Sequence, residues 1–408
     1  MHWERVKRVV DGLAPGIFII GYVIGTGSVT TMSSAGASYG MSLTWTLALA
    51  SMFTHLMTVG ISRLTILSGE TLLFLFRRHF GTPVTALMIL SLAATQVTSI
   101  MGVMAIMVEV FGAWCSSAFG LAPEPVLAAI AFTALLLGLY WVGRHGFFLK
   151  VLALLVGVMG LAFFFTAALV LPEAGELAAG LVPGMPSSGN PRLLIAGMVG
   201  TTMASVVLFT RSVLVKEKGW QLSDLPAANR DSGFSMTLLF FINAAIMACS
   251  AGTLHRQGLE VQAASDMVKA LEPLAGGLAA GGFVVGIIAA GLSSLFPNYL
   301  LGPWMAADFL GLPRNMGGAA FRAMVVFAAL CGLVVPVLGG RPVQVMIASQ
   351  AVSPVAMPLL ALFVLLLLNK KAVCGPDPPS LVLNAGLCVT VLFSFYMCFV
   401  ALSGFFGA

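Results

Sequence analysis

The stretch GYVIGTGSVTTMSSAGASYG, from Gly21 to Gly40, interrupts an apolar run with four small residues and then continues it. A helix that only crosses a membrane gains nothing from the Gly-Thr-Gly-Ser break at Gly25 to Ser28. Glycine lets the backbone unwind and lets a ligand approach its peptide groups closely. The stretch therefore predicts a discontinuous membrane helix whose break binds a ligand, although the break itself carries no charge.

The composition predicts an integral membrane protein. Of the 408 residues, 59% are hydrophobic and only 9% are charged, whereas soluble domains carry about 25% charged residues. The net charge of +5 does not indicate nucleic-acid binding, because basic residues in a membrane protein report its orientation instead. The partners that we expect are the lipid bilayer and a small solute or ion, with no nucleic acid, and we expect a monomer.

Apolar runs of about 20 residues, long enough to cross a bilayer, recur along the whole chain and predict an all-α protein. About eleven spans are predicted, roughly at 13–38, 41–66, 83–110, 123–142, 147–171, 191–217, 231–254, 275–303, 317–337, 342–368 and 380–406. Fifteen of the 20 Lys and Arg residues fall on the side of the N-terminus. This bias predicts a cytoplasmic N-terminus and an external C-terminus in the cell (inner) membrane.

Spans 1 and 6 are both broken, the first at Gly25 to Ser28 and the second near Gly200 to Ser205. Interrupted helices at matching positions of two halves are typical of transporters built from inverted repeats. We therefore predict one transmembrane domain over residues 1–408, with repeats at about 13–171 and 191–368 and an extra helix at about 380–406. The alternative is that Gly and Thr only allow close helix packing.

Five stretches, in order along the chain, resemble the NRAMP family of divalent-metal transporters, which has the LeuT-type fold. They are APGIFIIGYVIGTGSVTTMSSAGASYG (14–40), SRLTILSGETL (62–72), INAAIMACSAGTLH (242–255), AAGLSSLFPNYLLGPWMAADFL (289–310) and VMIASQAVSPVAMPLL (345–360). The resemblance implies a 5+5 inverted repeat, alternating access, and a substrate site between broken helices 1 and 6. It also implies divalent metal cations (Mn²⁺, Fe²⁺ or Mg²⁺) as the substrate class.

The metal-binding motifs of that family do not carry over to this chain. The family's Asp-Pro-Gly-Asn motif falls on residues 25–28 and its Met-Pro-His motif on residues 204–206, so its Asp, Asn and Met positions are Gly25, Ser28 and Ala204. All fifteen acidic residues fall in loops or near span ends on this assignment. Because a bare divalent ion at mid-membrane depth needs a counter-charge, we predict no tight transition-metal site.

The remaining groups at the breaks are peptide dipoles, hydroxyls and one amide. The predicted substrate-binding residues are Gly25, Thr26, Gly27, Ser28, Thr201, Thr202, Ala204, Ser205 and Gln350, the last matching a family position that approaches the metal. The half-helix that we expect to start near Ser28 presents free N–H groups, which favour an anionic or zwitterionic solute. Unwound carbonyl groups favour Na⁺ instead.

Other polar residues have two interpretations each. Ser293 and Ser294 resemble the place where sodium-coupled relatives of this fold complete a sodium site, or they serve helix packing. His55 is a candidate proton carrier or a hydrogen-bonded structural residue, and Gln96 falls near the family's acidic pair for proton passage. Arg63 is predicted to be an interfacial or inner-gate ion-pair residue with Glu70 nearby.

Arg211 takes the position of the family's second helix 6 histidine. Lys216 and Lys218 follow it in the same basic segment. We therefore expect its long side chain to extend towards the cytoplasm; the alternative is that it faces an inner vestibule and attracts anions.

Three hypotheses follow from the sequence. The chain is a metal transporter with a rebuilt site, a Na⁺- or H⁺-coupled carrier of a small neutral, zwitterionic or anionic organic solute, or a non-transporting sensor or scaffold that kept the fold. We expect no cofactor beyond Na⁺ or H⁺ as a coupling ion. No nucleophile–base arrangement or phosphate-binding loop is present in the sequence, so we do not expect an enzyme.

Overall fold

The computed structural model describes residues 23–143, 145–170, 172–187, 189–269, 277–312, 315–375 and 378–406. Within these ranges every regular element is a helix. The principal helices are α1 (Thr26–Tyr39), α2 (Thr44–Ser68), α3 (Leu72–Phe80), α4 (Thr82–Phe119), α5 (Pro125–Val142), α6 (His145–Leu169), α7 (Ala174–Ala179), α8 (Pro191–Thr202), α9 (Ser205–Lys218), α10 (Leu225–Gly252), α11 (Gly277–Leu310), α12 (Ala319–Cys331), α13 (Val334–Leu338), α14 (Pro342–Leu368) and α15 (Leu381–Phe406).

These helices correspond to the eleven predicted spans. Nine segments in the described ranges are long and apolar enough to cross a membrane. The other two spans are α6 and span 1, of which α1 is the second half. The part of span 1 before residue 23 lies outside the described residues. The all-α, multi-span class is therefore confirmed.

Two helix boundaries differ from the prediction, and the difference places two acidic residues inside helices rather than at helix ends. Helix α4 continues to Phe119 rather than ending near residue 110, so Glu109 lies within it. Helix α10 begins at Leu225 rather than near residue 231, so Asp231 lies two turns inside a helix and is buried. The hydropathy pattern predicts both acids near span ends. The difference arises because polar residues at the ends of apolar runs still continue the helix.

Both predicted breaks are present. Helix α8 ends at Thr202, Met203 and Ala204 are not helical, and α9 begins at Ser205. The extended backbone of Gly25 (φ −111°, ψ −169°) precedes α1, which begins at Thr26 rather than near Ser28. The free N–H groups at the start of this half-helix therefore lie nearer to Gly25 than we expected.

Close helix packing holds each broken helix against a neighbouring continuous helix. A Cβ atom at Gly200 would lie 1.9 Å from the backbone oxygen of Gln350, so only glycine lets α8 approach α14 this closely. A Cβ atom at Gly36 would lie 2.2 Å from the backbone oxygen of Met247, so α1 packs equally tightly on α10. Small residues at such contacts are typical of membrane helix bundles.

Candidate functional site

The two helix breaks are joined directly by a pair of hydroxyl groups. Ser28 Oγ donates a hydrogen bond to the backbone oxygen of Val23 at 2.7 Å and lies 3.0 Å from Thr201 Oγ1. A serine hydroxyl has one proton, and that of Ser28 is given to Val23, so Thr201 is the donor to Ser28. The Thr201 oxygen therefore keeps lone pairs with which it can accept from, or bind, another group.

A cavity lies between the breaks and is closed by three further helices. It contains about 490 Å³ of empty space, part of it open to solvent. Its lining comprises Val23, Gly25 and Gly27 at the first break, Thr95, Gln96, Ser99 and Val103 from α4, Gly200, Thr201, Ala204, Val206 and Val207 at the second break, Ser294 and Asn298 from α11, and Gln350 and Ser353 from α14. All of these described lining residues are uncharged.

The amide of Gln96 has a fixed orientation in this cavity. Its Nε2 donates to the backbone oxygen of Asn298 at 2.9 Å and also contacts Asn298 Oδ1. A backbone oxygen can only accept, so the Gln96 nitrogen must face Asn298. The Gln96 Oε1 atom is then left buried with no hydrogen-bond partner in the protein. An unpaired buried acceptor costs about 1–3 kcal/mol, so water or a cation in the cavity would relieve it.

Gln350 reaches the cavity only because residue 27 is glycine. A Cβ atom at Gly27 would lie 2.9 Å from Gln350 Nε2. That nitrogen otherwise contacts Met346 Sδ at 3.5 Å, and a thioether is a weak acceptor. The Gln350 amide is therefore held loosely and can turn towards a bound group.

Five of the nine predicted substrate-binding residues line the cavity, namely Gly25, Gly27, Thr201, Ala204 and Gln350. The other four, Thr26, Ser28, Thr202 and Ser205, are fully buried outside its lining. Ser28 acts through Thr201, as described above. The Thr26 and Thr202 hydroxyls are buried without a partner, and the Ser205 N–H donates to Ser353 Oγ at 3.0 Å.

The predicted sodium, proton and gate residues are dispersed. Ser294 and Gln96 line the cavity, whereas Ser293 Oγ donates to the backbone oxygen of Ala290 within its own helix. His55 Nδ1 lies 3.0 Å from Ser232 Oγ and lines a separate cavity between α2 and α10. Arg63 Nη2 donates to the backbone oxygen of Pro378 at 3.3 Å.

Sequence reasoning missed several polar lining residues that helical spacing could have found. Asn298 follows Ser294 by one turn on α11, and Ser353 follows Gln350 by one turn on α14. Residues three or four apart share one helix face. Each missed residue therefore lies on the face already marked by a predicted one.

Arg211 does not extend towards the cytoplasm as we expected. Its side chain is fully buried and forms an ion pair with Asp231. Its Nε donates to Ser62 Oγ at 2.9 Å, and its Nη2 donates to the backbone oxygen of Ala228 at 3.1 Å. The expectation was wrong because Asp231, assigned to the start of a span, lies inside α10 and supplies a buried counter-charge.

The expected Arg63–Glu70 pairing is also replaced. Glu70 Oε2 forms its ion pair with Lys216 Nζ at 2.6 Å. Lys216 lies in the last turn of α9, so this pair links the second half of the broken helix 6 to the loop between α2 and α3.

The donor set of the cavity determines which metal chemistry is possible there. Nowhere in the described ranges do three or more His, Cys, Asp or Glu side chains form a group that could hold a metal ion. A cation in the cavity would instead contact amide, hydroxyl and peptide oxygens, which suit hard ions rather than thiophilic ones.

Comparison with known proteins agrees with this architecture. Residues 16–403 match the family model Nramp, described as natural resistance-associated macrophage protein-like. The "Divalent metal cation transporter MntH" of Ralstonia nicotianae is 28% identical over 397 residues, covering 91% of this chain and 85% of that protein.

Two solved structures share the fold. A manganese transporter of Eremococcus coleocola has a TM-score of 0.76 at 18% identity, covering 98% of this chain and 88% of that one. MhsT, solved in complex with L-phenylalanine, has a TM-score of 0.60 at 13% identity, covering 96% of this chain and 98% of that one. As its sequence motifs predicted, this chain is a multi-pass membrane protein that belongs to the Nramp family.

Proposed function

We propose that this protein is a secondary transporter that carries a divalent metal cation by alternating access through the cavity between the two helix breaks. Family membership supports transport, and the curated relative from Ralstonia nicotianae is named as a divalent metal cation transporter. The N-terminus lies in the cytoplasm, and Na⁺ or H⁺ is the coupling ion.

The observation that carries the proposal is the unpartnered oxygen of Gln96. Its amide nitrogen is used by Asn298, and the hydroxyl proton of Thr201 is used by Ser28. At these two residues, Gln96 and Thr201, the cavity is therefore offered acceptor oxygens rather than donors. A cation satisfies acceptor oxygens, whereas an anion would need the protons that these residues have already given away.

Neutral oxygens bind a divalent ion only weakly, because the cost of removing its water is not offset by a counter-charge. The ion therefore keeps much of its hydration shell, as Mg²⁺ does at most protein sites. No thioether faces the ion at the family's methionine position, which is Ala204. Because a thioether favours Mn²⁺ and Fe²⁺ over Mg²⁺ and Ca²⁺, we expect little discrimination among these ions and no tight transition-metal binding.

A second candidate is a carrier of a small zwitterionic or anionic organic solute. It is favoured by the N-terminal ends of α1 and α9, since Gly27 near the start of α1 and Val206 near the start of α9 both line the cavity. Helix N-termini present free N–H groups and a positive dipole end, which favour a carboxylate.

Uptake by the purified protein in proteoliposomes tests the proposal. We expect saturable uptake of Mg²⁺ and of Mn²⁺, each detected with an enclosed metal-sensitive dye, with KM values within about fivefold because neutral oxygens discriminate weakly. Calorimetry on detergent-purified protein should show only weak Mn²⁺ binding.

Two results would contradict the proposed transport of a divalent metal cation. If neither metal is taken up, and amino or carboxylic acids instead raise the thermal stability of the protein, the second candidate replaces the first. Sub-micromolar Mn²⁺ binding would also contradict the neutral-oxygen site.

A further inference from the structure

A second cavity is lined by α1, α8 and α14, three of the helices that also line the central cavity, and lies towards the other end of α1. We name it the vestibule; its polar lining comprises Ser34, Ser38, Tyr39, Asn190, Glu260, Gln262 and Gln344. Seven residues of α1 separate Gly27, at the central cavity, from Ser34, which corresponds to about 10 Å along a helix axis. On the proposed orientation the vestibule opens to the outside of the cell.

The vestibule supplies the charge that the central cavity lacks. Among its described lining residues Glu260 alone carries a formal charge, and it is solvent-exposed. Its Oε2 accepts a hydrogen bond from Gln262 Nε2 at 2.8 Å, which orients the carboxylate. A lone carboxylate facing hydroxyl and amide oxygens is an arrangement that favours a cation.

A second, independent feature of the vestibule is a buried hydroxyl group without a partner. Ser34 lines it, is only 5% exposed, and has an Oγ atom with no hydrogen-bond partner in the protein. Ser34 lies deeper along α1 than Ser38 and Tyr39, on the side of the central cavity. A buried hydroxyl left unpaired is unfavourable, so a water or a hydrated ion bound in the vestibule would satisfy it.

The vestibule has room for a hydrated ion. It contains about 890 Å³ of empty space, part of it open to solvent. A water molecule takes about 30 Å³, so an ion with six waters needs roughly 200 Å³ on the same basis. Mg²⁺ keeps several waters and is usually bound by only one or two carboxylates, which matches the donor set here.

We propose that the vestibule is a second cation site, at which Glu260 and the waters around Ser34 hold a hydrated divalent cation before it enters the central cavity. This inference rests on the proposed function, because a cation site in the vestibule serves transport only if the protein carries that cation. The two cavities then have different roles. The vestibule selects cations by their charge, and the neutral central cavity binds the cation weakly and releases it readily.

Binding of Mn²⁺ to the detergent-purified full chain, followed by electron paramagnetic resonance, tests the site without requiring transport. We expect Glu260→Gln to weaken this binding at least tenfold and Ser34→Ala to weaken it two- to fivefold. The matched control is Glu176→Gln, since Glu176 is exposed on α7 and does not line the vestibule, and it should bind Mn²⁺ as the unmodified protein does. Equal binding by the Glu260→Gln and Glu176→Gln proteins would overturn the inference.

Uptake of Mg²⁺ by the same variants separates this inference from the proposed function. We expect Glu260→Gln to raise KM at least fivefold without changing the maximal rate, because the central cavity is intact. Loss of Mn²⁺ binding in Glu260→Gln, together with no divalent uptake by the unmodified protein, would support the site and reject the proposed function. Uptake by the unmodified protein with no effect of Glu260→Gln on either measurement would reject the site alone.

Discussion

Ser28 Oγ and Thr201 Oγ1 lie 3.0 Å apart, although 173 residues separate them in the chain. Each belongs to one of the two broken helices, so a single hydrogen bond connects the breaks of the two predicted repeats. Thr201 also lines the central cavity. A cargo bound to the Thr201 oxygen is therefore linked through Ser28 to the other broken helix, and such a link between the two halves suits a mechanism of alternating access.

Thr201→Val should reduce cation uptake about three- to tenfold. Valine keeps the shape of threonine, so the change removes one acceptor oxygen from the cavity and one donor from Ser28. A neutral hydrogen bond contributes about 1 kcal/mol, and we expect the free energy of unfolding to fall by about that amount. Initial uptake rates in proteoliposomes and unfolding in detergent measure the two effects separately.

Thr210→Val is the matched control for this substitution. Thr210 is also buried on the broken helix 6, but its hydroxyl donates to the backbone oxygen of Val206 one turn earlier and does not line the cavity. Equal losses of uptake in the two variants would show that Thr201 acts through helix stability rather than through the cargo.

The double substitution Gly25→Asp and Ala204→Met should create tight Mn²⁺ binding. Gly25 has φ −111° and ψ −169°, an extended conformation that any residue adopts, and aspartate is favoured at a helix N-cap. The carboxylate supplies a counter-charge and the thioether supplies selectivity for Mn²⁺ over Mg²⁺. We expect the Kd for Mn²⁺ to fall at least tenfold by calorimetry, with a much smaller change for Mg²⁺.

Each single variant tells whether the two groups act together. Gly25→Asp alone should strengthen Mn²⁺ and Mg²⁺ binding alike, because a carboxylate attracts both. If the double variant binds Mn²⁺ no better than the unmodified protein, the cavity between the breaks is not where the metal binds.

The positions of both breaks could be predicted from the sequence, because Gly25 and the segment around Gly200 interrupt apolar runs at matching places. The roles of individual side chains at the breaks could not. Helix α1 begins at Thr26, two residues before the expected start, so Ser28 lies within the first turn of the helix rather than in the break. Ser28 therefore faces Val23 and Thr201 instead of the cavity.

Other features depend on contacts between distant helices, which no local pattern reports. The free oxygen of Gln96 follows from the backbone of Asn298, which lies 202 residues further along the chain. The burial of Arg211 follows from Asp231, whose place inside α10 depends on a helix boundary that hydropathy alone set six residues too late. Side-chain orientation and ion pairing therefore had to come from the structure.

Gly27→Ala and Gly200→Ala should differ sharply in their effects. The added methyl group at residue 27 meets the side-chain nitrogen of Gln350 at 2.9 Å, and this loosely held amide can move aside. The methyl group at residue 200 meets the backbone oxygen of Gln350 at 1.9 Å, which cannot move without separating α8 from α14. We expect Gly27→Ala to fold and to lose uptake several-fold, and Gly200→Ala to lose about 1–3 kcal/mol of stability.

Gly138→Ala is the control for both glycine variants, since no atom lies within 4 Å of the Cβ position at Gly138. It should leave uptake unchanged and should not lower stability, because alanine is favoured over glycine inside a helix. Thermal unfolding in detergent, measured beside uptake, separates the two glycine variants. A stable Gly200→Ala protein with normal uptake would contradict the close packing of α8 on α14.

Asp231→Asn should destabilise the protein far more than any exposed charge substitution. Arg211 is fully buried and its ion pair with Asp231 joins α9 to α10, while Ser62 on α2 accepts a further hydrogen bond from the same guanidinium. Removing one partner of a buried pair leaves an uncompensated charge, which costs about 3–5 kcal/mol. Detergent-induced unfolding, followed by circular dichroism, measures this loss.

Two further variants decide whether the cost arises from the unpaired charge. Lys216→Gln breaks the partly exposed pair with Glu70 and should cost less than about 1 kcal/mol. The double variant Arg211→Met and Asp231→Leu removes both buried charges, so it should be more stable than Asp231→Asn alone, as replacing a buried pair by apolar residues is often neutral. If the double variant is no more stable than Asp231→Asn, the loss comes from disturbed packing between α9 and α10, and the ion pair has no special part in joining these helices.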